Sequence, residues 1–346
     1  MHDLQPKRLS TIPTAAGTIA RLAYARVVAA GIEVEPLLRK AGLTRRQLED
    51  TGTRLSVQRQ ITFLNLTASA LQDEFLGFHL GQPAELRELG LLYYVPASSD
   101  VLGDALRRVA RYSSVVNESL SLRYIEGKDI SLTTKYVGVG RHLDRHQIEA
   151  CLTVLIRLCR KLTGRRIEPS HVRIAHRCAG NFSEFAAFFG CDVEYGATVD
   201  EVRFAASTSH LPVTSADPYL NRLLIANCEE ALSRRPIDRA PFRSVVENAI
   251  TPLLPHGSAH ASEIARRCGL SQRTFARRLR SESLTFSEVL NSLRRDLASQ
   301  YLADQGLSIS QIAWLLGFQE GSAFTHAFKR WTGKTPREAR FEPPLL

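Results

Sequence analysis

If the stretch from Gln272 to Arg280 is a helix, Arg273, Ala276, Arg277 and Arg280 share one side of it, because a turn of about 100° per residue sends Phe275 and Leu279 to the other. The outward side is then basic and free of acid. Guanidinium groups so placed can each donate paired hydrogen bonds to a guanine edge in the major groove of a duplex. A second stretch, Ser322 to Lys329, repeats the arithmetic. Phe324 and Phe328 turn inward and leave Ser322, Thr325, His326 and Lys329 outward, a face more polar than basic. Taken alone, such a charged stripe is more often a solvated helix surface than a reader of nucleic acid.

What lies around the two stretches changes that balance. Before the first, Ala261–Cys268 carries Ile264, Ala265 and Cys268 as an apolar stripe. Gly269 then supplies a left-handed turn residue and Ser271 a helix N-cap. Before the second, Ile309–Leu316 does the same and ends at Gly317. Ala313 stands one helical turn before Gly317, just as Ala265 stands one turn before Gly269, and a small residue there suits a close crossing of two short helices. Phe286 to Ala303, with Val289, Leu290, Leu293, Leu297 and Leu302, predicts one amphipathic helix between the copies. At about 1.5 Å per residue it would span roughly 27 Å. A spacer of that length suits two recognition helices about one turn of DNA, roughly 34 Å, apart.

The bulk of the chain agrees. Its 346 residues predict two domains rather than one, and 45 Lys and Arg against 35 Asp and Glu leave a formal charge of +10, which attracts polyanions. The 6 Cys lack framework or C-x-x-C spacing, which fits reduced thiols. Neither a signal peptide nor a membrane span is expected, and a cytoplasmic, nucleoid-associated location follows. Residues 1–18 read as a flexible N-terminus and 19–232 as an α+β domain. That domain is mainly helical to Arg111, with a hairpin over Leu120–Tyr136, a helix over Arg145–Leu162, strands near Val172–Ile174 and Val199–Phe204 around a helix at Phe182–Phe189, and a last helix from Pro218. Leu220, Leu223 and Leu224 on that last helix suggest a surface for a second subunit. Residues 233–241 read as a linker with two prolines, and 242–346 as an all-α domain.

Residues 242–340 resemble the C-terminal DNA-binding domain of the AraC/XylS family of transcription regulators. The resemblance rests on Ile312-Ala313, Gly317-Phe318, Ser322, Phe324, Ala327-Phe328-Lys329-Arg330, Gly333, Thr335-Pro336 and Arg340, with Arg294, Ala298 and Leu302 in the joining helix. It implies two helix-turn-helix motifs joined by a long linker helix. Arg273, Ala276 and Arg277 of the first, and Ser322, Thr325 and His326 of the second, would contact bases. Gln272, Arg278, Arg280, Lys329, Lys334 and Arg337 would contact phosphates. Ser283 stands where many members have Gly, and His326 where Arg is frequent. The N-terminal part is similar to the family's arabinose-binding-like domain through Leu89-Gly90-Leu91-Leu92-Tyr93, Leu102-Gly103-Asp104-Ala105-Leu106, Arg111-Tyr112, Phe188-Phe189-Gly190-Cys191, Leu211-Pro212 and Ala216-Asp217-Pro218.

The partners so implied are double-stranded promoter DNA, RNA polymerase, a small-molecule effector and a second copy of the chain, with activation as the expected output. Tyr93 and Tyr94 are candidates for lining an effector pocket, although aromatics in such a run are more often core. A regulator without effector, whose N-terminal domain only dimerises or docks a protein, fits the same residues. A DNA-repair protein with a reactive cysteine is a remote third reading, since no Cys here has the Pro-Cys-His-Arg setting. No catalytic motif, cofactor site or metal site is expected; His142 and His146, one turn apart, read as surface histidines.

Overall fold

A computed structural model describes residues 13–136, 139–141, 143–176, 183–233, 242–303 and 307–341. Two compact bodies divide the chain, one of residues 1–137 with 143–238, the other of 138–142 with 239–346. Residues 138–142 cluster with the second body. Of the expected linker, residues 233–241, Ser233 ends the last helix of the first body and residues 234–241 lie outside the described residues.

In the first body, β1 (Thr14–Ala15) pairs antiparallel with β2 (Leu55–Ser56), framing α1 (Thr18–Ala29), α2 (Glu35–Ala41) and α3 (Arg45–Glu49). The expectation of a flexible start to residue 18 is corrected for residues 14–18. Ala15 is buried, and the Arg21 guanidinium donates to the carbonyls of Ala16, Leu48, Asp50 and Thr53, tying that start to the α3 turn. Local chemistry sets the helix starts: Thr44 and Gln47 form a reciprocal capping box on α3, and Ser56 caps α4 (Val57–Leu71). Ala20, Ala23, Val27, Leu38, Phe63, Leu64, Leu76 and Leu80 then bury one shared core.

Beyond it come α5 (Leu76–Gly81), α6 (Leu91–Ala97), α7 (Leu102–Val116), β3 (Leu120–Glu126), β4 (Asp129–Tyr136) and α8 (Arg145–Thr163). They are followed by β5 (His171–Ile174), α9 (Ser183–Phe189), β6 (Val193–Tyr195), β7 (Asp200–Ala205) and α10 (Pro218–Ser233). The sheet order is β3-β4-β7-β5-β6, antiparallel except for β5 and β6. The hairpin falls where alternation placed it, with Leu120 opposite Tyr136. Strands β1, β2 and β6 were not legible, because two or three residues carry no measurable alternation.

Helices α5 and α8 cross in close contact. A Cβ on Gly77 would lie 2.0 Å from the carbonyl oxygen of His146, and one on Gly81 would lie 2.8 Å from Cβ of Thr153. Only hydrogen at both positions permits the approach, and their spacing of one turn on α5 was the signal available in the sequence. The crossing also buries what α8 carries. His146 is 8% exposed and Glu149 fully buried, so the surface reading of His146 is corrected, while His142 lies outside the described residues.

The second body is helical throughout its described part: α11 (Phe242–Ile250), a 3-10 turn (Thr251–His256), α12 (Ala261–Arg267), α13 (Gln272–Ser281), α14 (Phe286–Ala303), α15 (Ile309–Leu315), α16 (Gly321–Thr332) and α17 (Pro336–Phe341). One continuous core runs through it, including Ile264, Ala265, Phe275, Leu279, Val289, Leu293, Leu297, Ile312, Ala313, Phe324 and Phe328. The two helix pairs share a single apolar interior, to which α14 contributes Val289, Leu293, Leu297, Ala298 and Leu302.

Candidate nucleic-acid interface

Helix α13 begins where Ser271 accepts a hydrogen bond from the Thr274 amide at 3.3 Å, after Gly269 turns the chain at φ 68°. Phe275 and Leu279 are buried to within 2%, so the remaining register is fixed. Gln272, Arg273, Ala276, Arg277, Arg278 and Arg280 are all exposed. Arg278 lies over the Phe242 ring at 5.4 Å, which holds it at the base of the helix.

The charges on α13 differ from the arginines just before them. Arg266 and Arg267 both pair with Glu263, at 2.8 and 2.9 Å, and their hydrogen bonds, with their charge, hold the Glu263 carboxyl below the usual carboxylate range. Among the described residues no acidic side chain pairs with Arg273, Arg277 or Arg280. Exposed guanidinium groups without an acidic partner are available to an external polyanion. Helix α13 ends at Ser281, and two residues on Ser283 takes φ 58°, the left-handed conformation that glycine adopts more easily. Its amide still donates to the Arg280 carbonyl at 2.9 Å, so the turn closes without glycine.

Helix α15 carries a full capping box, Ser308 with Gln311. Gly317 follows at φ 75°, in a tighter setting than Gly269. A Cβ there would meet the Leu254 carbonyl oxygen at 2.4 Å. Arg294 of α14 donates to the carbonyl oxygens of Leu316 and Gly317, at 2.9 and 3.2 Å, and stacks over Phe318 at 4.6 Å. Burial draws its guanidinium below the usual value. These bonds satisfy carbonyls left unpaired at the end of α15 and clamp α14 to the turn. Arg340 similarly donates to the Leu307 carbonyl at 2.7 Å.

On α16 the outward residues are placed as expected but differently engaged. Ser322 is exposed, yet its hydroxyl donates to Glu320 at 3.1 Å; Thr325 is half-buried, with its hydroxyl on the Gly321 carbonyl at 2.8 Å. His326, Lys329 and Arg337 are exposed, and Lys334 is half-buried. Glu320, which the sequence reading missed, puts a carboxylate beside this helix start. The second face is thus weaker in uncompensated charge than the first.

In the first body, Tyr93 is buried and packs edge-on against the exposed Tyr94 at 5.2 Å. Neither is among the residues lining a cavity of that body that takes Leu89 and Leu92 from the same run. The two rings form an edge-on packing pair, Tyr93 on the core side and Tyr94 on the exposed side. Burial pushes the thiols of Cys151 and Cys159 up, to about 11 and about 12, so both remain protonated and poorly nucleophilic at neutral pH. Cys178 lies outside the described residues. No described helix is long and apolar enough to cross a membrane, and no described cluster of His, Cys, Asp and Glu could hold a metal.

Residues 264–341 match a helix-turn-helix domain, and residues 31–213, more than half the chain, match the family described as the arabinose-binding domain of AraC transcription regulators. The chain belongs to the AraC family of transcription regulators. It is 27% identical over 319 residues to the HTH-type transcriptional regulator VirS of Mycobacterium tuberculosis, covering 90% of this chain and 91% of that one. It is 26% identical over 318 residues to the ornithine utilization regulator of Pseudomonas aeruginosa, covering 90% and 92%. Among solved structures, the transcriptional regulator CdpR of Pseudomonas aeruginosa aligns over 99% of this chain and 100% of its own, at 18% identity and a TM-score of 0.46.

Proposed function

We propose that this regulator reads promoter DNA with α13 and α16, as the recognition helices of two helix-turn-helix motifs for which α14 is the connecting rod. The observation that carries the reading is the unpaired arginine face of α13, mounted on a core shared with the second helix pair. Arg273, Ala276 and Arg277 take the base edges at the first site, and Ser322, Thr325 and His326 at the second. Gln272, Arg278, Arg280, Lys329, Lys334 and Arg337 hold the phosphates. Replacing Arg277 by Ala is expected to weaken binding to the cognate promoter by about 1–3 kcal/mol while leaving non-specific binding nearly unchanged. Fluorescence anisotropy at fixed salt measures both. Equal affinity of mutant and wild type for the promoter would remove Arg277 from the reader.

The same proposal makes the first body a sensor and a dimerisation unit, and makes activation through RNA polymerase the output. Its cavity supports the sensor role. The outward side of α10 supports dimerisation: Tyr219, Leu220 and Leu223 are 67, 41 and 49% exposed, an apolar stripe that a second copy of α10 would cover. A single monomeric species in sedimentation at micromolar concentration would remove the dimer from the proposal. Promoter transcription that does not rise on adding the protein would remove activation.

A further inference from the structure

The first body contains a cavity between α8, the β3–β4 hairpin, α7 and the start of α1, with about 790 Å³ of empty space, part of it open to solvent. Ile19, Leu92, Val109, Leu122, Val154 and Leu158 give it an apolar lining, and among the described residues no charged side chain reaches it. Its polar lining residues are Thr18, Gln60, Asn117, Thr134, Gln147 and Cys151. The Gln60 amide nitrogen donates to the Gln147 oxygen at 2.6 Å, and the Gln147 amide nitrogen donates in turn to the Cys151 sulfur at 3.6 Å. That relay uses the donor of Gln60 and leaves its oxygen, Oε1, with no partner, although Gln60 is only 2% exposed. Thr134, 5% exposed, likewise has an unpartnered hydroxyl at the same cavity. Buried polar atoms are almost always satisfied, so two such atoms on one cavity mark where an absent molecule would bond. Burial keeps the Cys151 thiol protonated, so it adds no charge.

We infer that this cavity binds an uncharged, largely apolar small molecule carrying one hydroxyl or amide group. Its body lies against the Val109, Val154 and Leu158 side chains, and its polar group donates to Gln60 or exchanges a hydrogen bond with Thr134. A carboxylate or ammonium would surrender its hydration here with no opposite charge to replace it, and a sugar would bury several hydroxyls for two unpaired partners. The inference rests on the sensor role proposed for the first body and supplies its ligand chemistry.

Calorimetry and thermal shift on the full chain test it, with 1-octanol, octanamide and 4-ethylphenol as neutral probes and octanoate and octylammonium as charged counterparts. At least one neutral probe is expected to bind and raise the melting temperature, at least about tenfold more tightly than either charged counterpart. Thr134→Val, nearly isosteric, should weaken a hydroxyl probe about tenfold. Val154→Trp, which fills the cavity from a partly exposed position, should abolish binding while promoter binding persists. Silence of all neutral probes to millimolar concentration, equal binding of octanol and octanoate, or wild-type binding by both variants would each overturn the inference. A chain that ignores every probe yet loses promoter affinity through Arg277→Ala would keep the DNA reading and lose only this one. Probe binding with no Arg277 effect would do the reverse.

Discussion

Replacing Gly317 by Ala is expected to destabilise the second body by about 3 kcal/mol or more and to cut promoter affinity with it. Two costs combine. A non-glycine residue in the left-handed region costs about 1–2 kcal/mol, and the new methyl would meet the Leu254 carbonyl oxygen at 2.4 Å, a backbone atom that cannot swing aside. The Arg294 guanidinium stands 3.3 Å from the same point, so relief of the clash pulls on the hydrogen bonds that clamp α14 to the α15 turn. Gly269→Ala is the internal control. It has nearly the same φ, 68° against 75°, but no atom within 4 Å of its would-be Cβ, so it should cost only the conformational part, about 1–2 kcal/mol. Both tryptophans of the chain, Trp314 and Trp331, lie in this body, and Trp331 packs near Phe318 at 6.2 Å. Denaturant unfolding followed by tryptophan fluorescence therefore reports the body directly. Equal losses for the two alanine variants would mean that the Leu254 contact is not a constraint.

Glu149→Ala is expected to cost the first body about 3–5 kcal/mol, the usual penalty for removing one partner of a buried charged group. Glu149 is wholly buried, 3.0 Å from both Arg145 Nε and His176 Nε2 and 3.5 Å from His146 Nδ1. Burial pushes its carboxyl up, but His146 and His176 outweigh that and hold it below the ordinary carboxylate range. Burial likewise draws the His176 imidazole below its usual value, with Glu149 opposing. Both folded-state values lie below their unfolded ones, so both groups contribute stability that is fully present above the unfolded value and is lost on acidification. The wild-type body should therefore weaken first below about pH 6.5, as His176 is protonated more readily in the unfolded chain, and again below about pH 4.5, as Glu149 is. Thermal unfolding followed by near-ultraviolet tyrosine signals at pH 8, 6 and 4 measures both limbs. A Glu149→Ala variant as stable as wild type at pH 8, with an unchanged acid limb, would show that the cluster does not act as an ion pair.

Most of the candidate interface was legible in the residues. Phe275 and Leu279, and Phe324 and Phe328, are buried where helical periodicity put them, and the exposed faces follow by geometry. Short-range signals were equally clear at Gly269 and Ser271, because a cap or a turn involves only neighbours in sequence. The engagement of the second face was not legible. Nothing in the order of residues shows that Ser322 bonds to Glu320, or that Thr325 spends its hydroxyl on the Gly321 carbonyl.

Sequence by itself determined the helix faces, the repeat, the presence of the hairpin and the excess positive charge, which follow from periodicity, local turn signals and composition. Only the tertiary structure decided why Gly317 and Gly269, twins in sequence, are not equivalent, since the carbonyl that crowds one belongs to a turn more than 60 residues earlier. Tertiary structure alone also brings Gln60 and Thr134, residues far apart along the chain, to the lining of one cavity. Such meetings depend on how whole elements pack, and packing is a property of the assembled core that no window of residues contains.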